Sequence, residues 1–128
     1  MNLLLDTCTF LWIISGDKAL RQTAADLYAD PSNRVFLSSV SAWEISVKYA
    51  LGRLVLPRPP AQYIPAQREA HGIESLALEE DAVLHLPKLP DYHRDPFDRM
   101  LICQAQIHGM VILTPDDLIS RYPVRCTW

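Results

Sequence analysis

The sequence holds only three cysteines, Cys8, Cys103 and Cys126, and no pair has CxxC spacing. That excludes a disulfide scaffold and a zinc ribbon, and fits free thiols in a reducing compartment. Positive charge is also scarce: 12 Lys and Arg stand against 15 Asp and Glu, for a net charge of −3. Charge alone therefore gives no reason to expect nucleic acid. Such a partner needs a local basic patch, or metal ions that offset the acids. No apolar run nears transmembrane length, and the chain enters Asn2-Leu-Leu-Leu-Asp6 without a basic leader. The expectation is a soluble, cytoplasmic protein. No Ser/His/Asp or Cys/His arrangement stands out. The four histidines, His71, His85, His93 and His108, lack metal-ligand spacing and are expected at the surface or in loops. There is no repeat and no linker. The 128 residues, 49% apolar, suffice for one domain with a core, spanning 1–128.

What is present alternates between strand and helix. Leu3–Leu5, Arg34–Leu37 and Met110–Leu113 are short continuous apolar runs, as in strands buried on both faces. Helical patterns fill the intervals: 9–15, 19–29 with Leu20, Ala24, Leu27 and Tyr28 on one face, 40–51, 61–70, 79–86, and a helix after Asp95. That last helix is expected to turn Phe97, Leu101, Ile102, Ala105 and Ile107 inward. Ile73–Leu78 and Val124–Thr127 are weaker strand candidates, and a short helix is expected after Thr114-Pro-Asp-Asp117. The pattern predicts a three-layer α/β/α fold with a mostly parallel sheet.

In such a sheet, ligands bind outside the carboxyl ends of the strands. Acids recur at that rim. Asp6 ends the first strand, Glu44 lies early in the helix after the second, Asp98 in the first turn of a later helix, and Asp116 behind the Met110–Leu113 strand. Each also has a local reading. Asp6, Asp98 and Asp116 suit helix starts, and Glu44 has capping-box spacing from Ser41. Caps need not converge in space, however. Carboxylates that do converge repel, by on the order of 4 kcal/mol at about 4 Å in a medium of effective dielectric about 20. A cluster is costly unless cations or shared protons fill it. Hard oxygen ligands in that number suit Mg²⁺ or Mn²⁺. A divalent cation polarises a phosphoryl oxygen and lowers the pKa of a bound water, which is the chemistry of a phosphodiesterase.

Four blocks in order resemble the PIN-domain ribonucleases, and among them the VapC-type toxins of bacterial toxin–antitoxin pairs. They are Leu3-Leu-Leu-Asp-Thr7 with Phe10-Leu-Trp12; Ser41-Ala-Trp-Glu-Ile45 with Lys48 and Leu51-Gly-Arg-Leu54; His93-Arg-Asp-Pro-Phe-Asp-Arg99 with Leu101-Ile102; and Leu113-Thr-Pro-Asp116 with Tyr122-Pro-Val124. The resemblance implies that Asp6, Glu44 and Asp98 are the core metal-binding acids, with Asp116 as the fourth. Thr7 and Thr114 match hydroxyl positions that orient carboxylates or bound water. It further implies Mg²⁺- or Mn²⁺-dependent endonucleolytic cleavage of RNA, a cognate VapB-type antitoxin, and a homodimer. The chain departs from the pattern at Cys8, where many relatives carry His, and at Pro115, often Ala. Asp95 reads as the cap of the helix that carries Asp98. Arg94 and Arg99 either contact RNA phosphate or pair with nearby acids. Lys48 either contacts phosphate or bridges Glu44 one turn away. Trp12 and Trp43 are expected in the core or at a dimer face. A DNA or flap-type nuclease and a non-catalytic RNA- or protein-binding module are the rival readings.

Overall fold

A computed structural model describes the whole chain, Met1–Trp128. Five strands, β1 (Asn2–Leu5), β2 (Arg34–Ser38), β3 (Glu74–Leu76), β4 (Val111–Leu113) and β5 (Arg125–Thr127), pair in the order β3-β2-β1-β4-β5. All four pairings are parallel, including those of both edge strands. The helices are α1 (Thr7–Ser15), α2 (Gln22–Ala29), α3 (Ser39–Ala50), α4 (Pro60–Ala70), α5 (Glu80–His85), α6 (Pro96–His108) and α7 (Asp117–Ser120).

The apolar runs are continuous because the central strands are covered on both faces. Alternate side chains feed two cores. Leu4, Phe36 and Ile112 join Leu101, Ile102 and Ala105 of α6 and Ile119 of α7. Leu3, Leu5, Val35, Leu37, Val111 and Leu113 join Phe10 and Ile13 of α1, Ala24 of α2 and Ile64 of α4. Helix α3 contributes to each, with Val40 in the first core and Ile45 in the second. The result is the three-layer arrangement expected from the sequence.

Several boundaries differ from the sequence reading. Helix α2 starts at Gln22, not at residue 19, because Asp17 caps a separate turn by accepting from the Ala19 N–H at 2.8 Å. Helix α3 is capped by Ser38, whose hydroxyl accepts from the Val40 N–H. Glu44 is thus beyond capping-box reach and free for another task. Ile107 is 38% exposed and does not join the core. Trp43 is 57% exposed, edge-on to Phe97 with centroids 4.8 Å apart, whereas Trp12 packs on Trp128 at 5.8 Å.

One buried polar link ties the two halves together. The Ser38 hydroxyl donates to Gln104 Oε1, and Gln104 Nε2 donates to the Ala77 carbonyl at 3.2 Å. Gln104 is fully buried. Gln104→Leu keeps the volume but strands the Ser38 proton and the Ala77 oxygen, so a loss of about 2–4 kcal/mol in urea unfolding is expected. A loss below experimental error would mean that water reaches these groups.

Candidate active site

The sheet order places β1 at the switch point, with β2 on one side and β4 on the other. The crevice belongs at the carboxyl ends of β1 and β4. Parallel register pairs Leu5 with Leu113, so the next residues emerge side by side. They are Asp6 and Thr114. Asp6 caps α1: its Oδ1 accepts from the Thr9 N–H at 2.8 Å, and its Oδ2 accepts from the Thr114 hydroxyl. Thr114 Oγ1 in turn accepts from the Asp116 N–H at 3.0 Å, which orients the start of α7. Asp116 caps that helix through Oδ1, with Leu118 N–H as donor at 2.8 Å. Its Oδ2 lies 3.2 Å from His93 Nε2.

The other two acids arrive on helices. Glu44 lies in the second turn of α3 and is 4% exposed. The Thr7 hydroxyl donates to Glu44 Oε1 at 2.7 Å and lies 3.0 Å from Ser41 Oγ. Lys48 Nζ donates to Glu44 Oε2, so the one-turn salt bridge forms. Asp98 stands in the first turn of α6, and Asp95 caps that helix by accepting from the Phe97 N–H at 2.8 Å. Asp95 thus caps the helix as expected, and both aspartates of the block line the same cavity.

These groups line a cavity of about 190 Å³ whose walls carry five carboxylates, Asp6, Glu44, Asp95, Asp98 and Asp116, and one cation, Lys48. A larger cavity of about 500 Å³ shares Thr114, Pro115 and Asp116 with this rim but carries only one further acid, Asp117. The concentrated charge shows in the titrations. Burial pushes the Asp6 carboxyl up, against hydrogen bonds from Thr114 and Thr9, and Asp116 adds to the rise. Asp98 is pushed up to about 7, first by burial and then by Asp95, Glu44 and Asp6, with His93 opposing. Burial and the neighbouring Asp6, Glu44 and Asp98 raise the Cys8 thiol, with Lys48 opposing. Lys48 is already committed to Glu44. The acids, Glu44 included, have the hard-oxygen chemistry of a divalent cation site, and the residues fit such an ion.

One sequence expectation changes here. His93 lies in a loop but is 9% exposed, with Nε2 3.0 Å from Asp98 Oδ2 and 3.2 Å from Asp116 Oδ2. Its spacing in the sequence predicts only a surface or loop residue. Its one signal was its place five residues before Asp98, in the same block. Arg99 turns away from the cavity. Its Nη1 donates to the Pro90 carbonyl at 3.0 Å and to Tyr122 Oη at 3.2 Å, clamping the loop before α6. Of the two roles expected for Arg99, pairing with a nearby acid has a contact in the structure, since Nη1 lies 3.7 Å from Asp91 Oδ1. Arg94 is exposed beside the site.

A family model described as the PIN domain matches residues 3–124. Ribonuclease VapC16 of Mycobacterium tuberculosis is 36% identical over 67 residues, covering 52% of this chain and 47% of that protein. The aligned stretch spans about half that relative's length. Among solved structures, VapBC2 from Rickettsia felis bound to a promoter DNA fragment aligns with a TM-score of 0.74 at 13% identity, covering 99% of this chain and 98% of that one. The DNA-bound VapBC from Salmonella typhimurium gives 0.69 at 18%, covering 99% and 97%. VapBC-1 from nontypeable Haemophilus influenzae gives 0.66 at 18%, with the same coverage. At these identities the likeness establishes the fold.

Proposed function

Because this chain belongs to the PIN-domain family, we propose that it is a divalent-metal-dependent endoribonuclease and the toxin of a toxin–antitoxin pair. The observation that carries the reading is the convergence of five carboxylates on one small cavity at the switch point of the sheet. The ribonuclease name of the curated relative and the VapBC complexes among the structural neighbours support it.

Asp6, Glu44, Asp98 and Asp116 would hold Mg²⁺ or Mn²⁺. A bound cation of this kind supplies Lewis-acid polarisation of a phosphoryl oxygen and makes a water more acidic. The chain's own residues do the positioning. Thr114 holds the Asp6 carboxylate in one rotamer, and Thr7 does the same for Glu44. Lys48 neutralises the outer oxygen of Glu44, leaving its other oxygen toward Thr7. Lys48 is half exposed, and with Arg94 it provides positive charge at the rim for the RNA backbone. No helix is long and apolar enough to cross a membrane, and the enzyme acts on RNA in the cytoplasm. An apolar groove of about 300 Å³ lined by Leu11, Trp12, Ile14, Val55 and Tyr63 shares Trp12 with the acidic cavity. It offers a VapB-type antitoxin segment a seat beside the acids. Homodimerisation belongs to the same reading.

The test is cleavage of single-stranded and structured RNA by purified, antitoxin-free protein. Cutting is expected with Mg²⁺ or Mn²⁺ and is expected to stop with EDTA. Cleavage of duplex or flap DNA in place of RNA would transfer the site to a DNA nuclease. Metal-independent RNA binding without cutting would make it a binding module.

A further inference from the structure

His93 is held on every side. Its backbone N–H donates to Tyr122 Oη at 2.8 Å, and the Tyr92 N–H donates to the same oxygen at 3.1 Å. Tyr122 is buried and also accepts from Arg99. The ring is fixed at both nitrogens. Nδ1 accepts from the Asp95 N–H at 3.2 Å. Nε2 lies between Asp98 and Asp116, and its contact with Asp116 Oδ2 has hydrogen-bond geometry.

His93, Asp98 and Asp116 can bring one ligand atom each within 4.8 Å of one another, which on distance alone resembles a three-residue metal site. The tautomer opposes that role. A ligating Nε2 must give up its proton, which moves to Nδ1. A proton on Nδ1 would point at the Asp95 N–H, two donors face to face. With Nδ1 accepting, the proton sits on Nε2 and is directed at the carboxylates. We propose that His93 is a positioning residue whose Nε2–H holds Asp116 against Asp98, so that both carboxylates are set for a cation that the imidazole itself does not touch. Asp98 comes from α6 and Asp116 from the turn after β4, and apart from the shared core nothing else joins their side chains. The loop that aims His93 is fastened by Tyr122 and Arg99, so the positioning reaches back to groups remote from the acids. The inference rests on the acids being a divalent-cation site.

The experiment has two arms on the full chain. In the first, ¹H–¹⁵N NMR of the metal-free protein reads the His93 tautomer, and pulsed EPR of the Mn²⁺-loaded wild type reads directly bound ¹⁴N. The expected results are a proton on Nε2 and no directly bound nitrogen. In the second, Mn²⁺ affinity is measured by calorimetry for wild type, His93→Ala and His93→Gln, with thermal melts as folding controls. Removing a group that orients a ligand typically weakens metal binding about 10–100-fold, which is expected for His93→Ala. His93→Gln keeps an N–H donor at similar reach and is expected to restore most of the affinity. Direct ¹⁴N coupling, a proton on Nδ1, or a Gln variant as weak as the Ala variant overturns the positioning role alone. A wild type that takes up no Mn²⁺ overturns the cation reading and, with it, this consequence. The spectroscopic arm stands even where His93→Ala fails to fold.

Discussion

Asp98→Asn is expected to abolish RNA cleavage, with a loss of at least about 100-fold, and at the same time to make the metal-free protein more stable. The two effects share one cause. Asp98 stands 16% exposed in a cavity with Asp6, Glu44 and Asp95, and its carboxyl is pushed up to about 7. Above that pH its ionised form is opposed by burial and by like charges. Asparagine keeps the shape and one acceptor oxygen while removing the charge. A gain of roughly 1–3 kcal/mol at pH 8 is expected in EDTA, or about 3–10 °C in Tm. A structural acid would behave in the opposite way, since removing it would lose a favourable contact. The paired measurements are single-turnover cleavage and thermal melting in EDTA. An Asn variant that is less stable and still cuts within a few-fold of wild type would show that Asp98 serves the fold and not the cation site.

The second large effect is a change of sign in pH dependence. A carboxyl whose folded-state pKa is raised binds its proton more tightly in the folded chain than in the unfolded one. Between the ordinary carboxylate value near 4 and the Asp98 value of about 7, the unfolded chain loses this proton first. The contribution of Asp98 to the stability of the metal-free protein therefore falls as pH rises through that window, and levels off above it. Asp6 is raised as well and acts in the same direction. In EDTA, Tm is expected to fall by several degrees from pH 5 to pH 8, with a shallower slope in Asp98→Asn. Divalent cation reverses the trend, because it binds the ionised carboxylates and competes with their protons. At about 100-fold excess over its Kd a ligand adds about 2.7 kcal/mol. The Mn²⁺-induced rise in Tm should thus be small at pH 5 and large at pH 8. An equal rise at both values would place the ion elsewhere on the protein.

The acids were legible in the sequence because their placement is local. A short apolar run followed by Asp6, and a Pro96-Phe97-Asp98 step behind a capping Asp95, specify strand ends and helix starts through nearest-neighbour geometry. The alternation of strand and helix then puts those ends on one rim. Where two local explanations competed, only contacts across the chain could choose between them. The spacing of Ser41 from Glu44 points to a cap at Ser41. Ser38 takes the role, bonded also to Gln104, 66 positions away, while Ser41 faces Thr7 from the helix interior.

By itself, then, the sequence determined the alternating elements, the two-faced burial of the central strands and the four acids at their ends, because periodicity and capping act over a few residues. The tertiary structure decided which polar groups meet. His93 reaches Asp116 across 23 positions, and Arg99 bonds the loop that aims it through the Pro90 carbonyl and Tyr122. No periodicity encodes such contacts, because they arise where the register of β1 with β4 and the packing of α6 bring separate segments to one cavity.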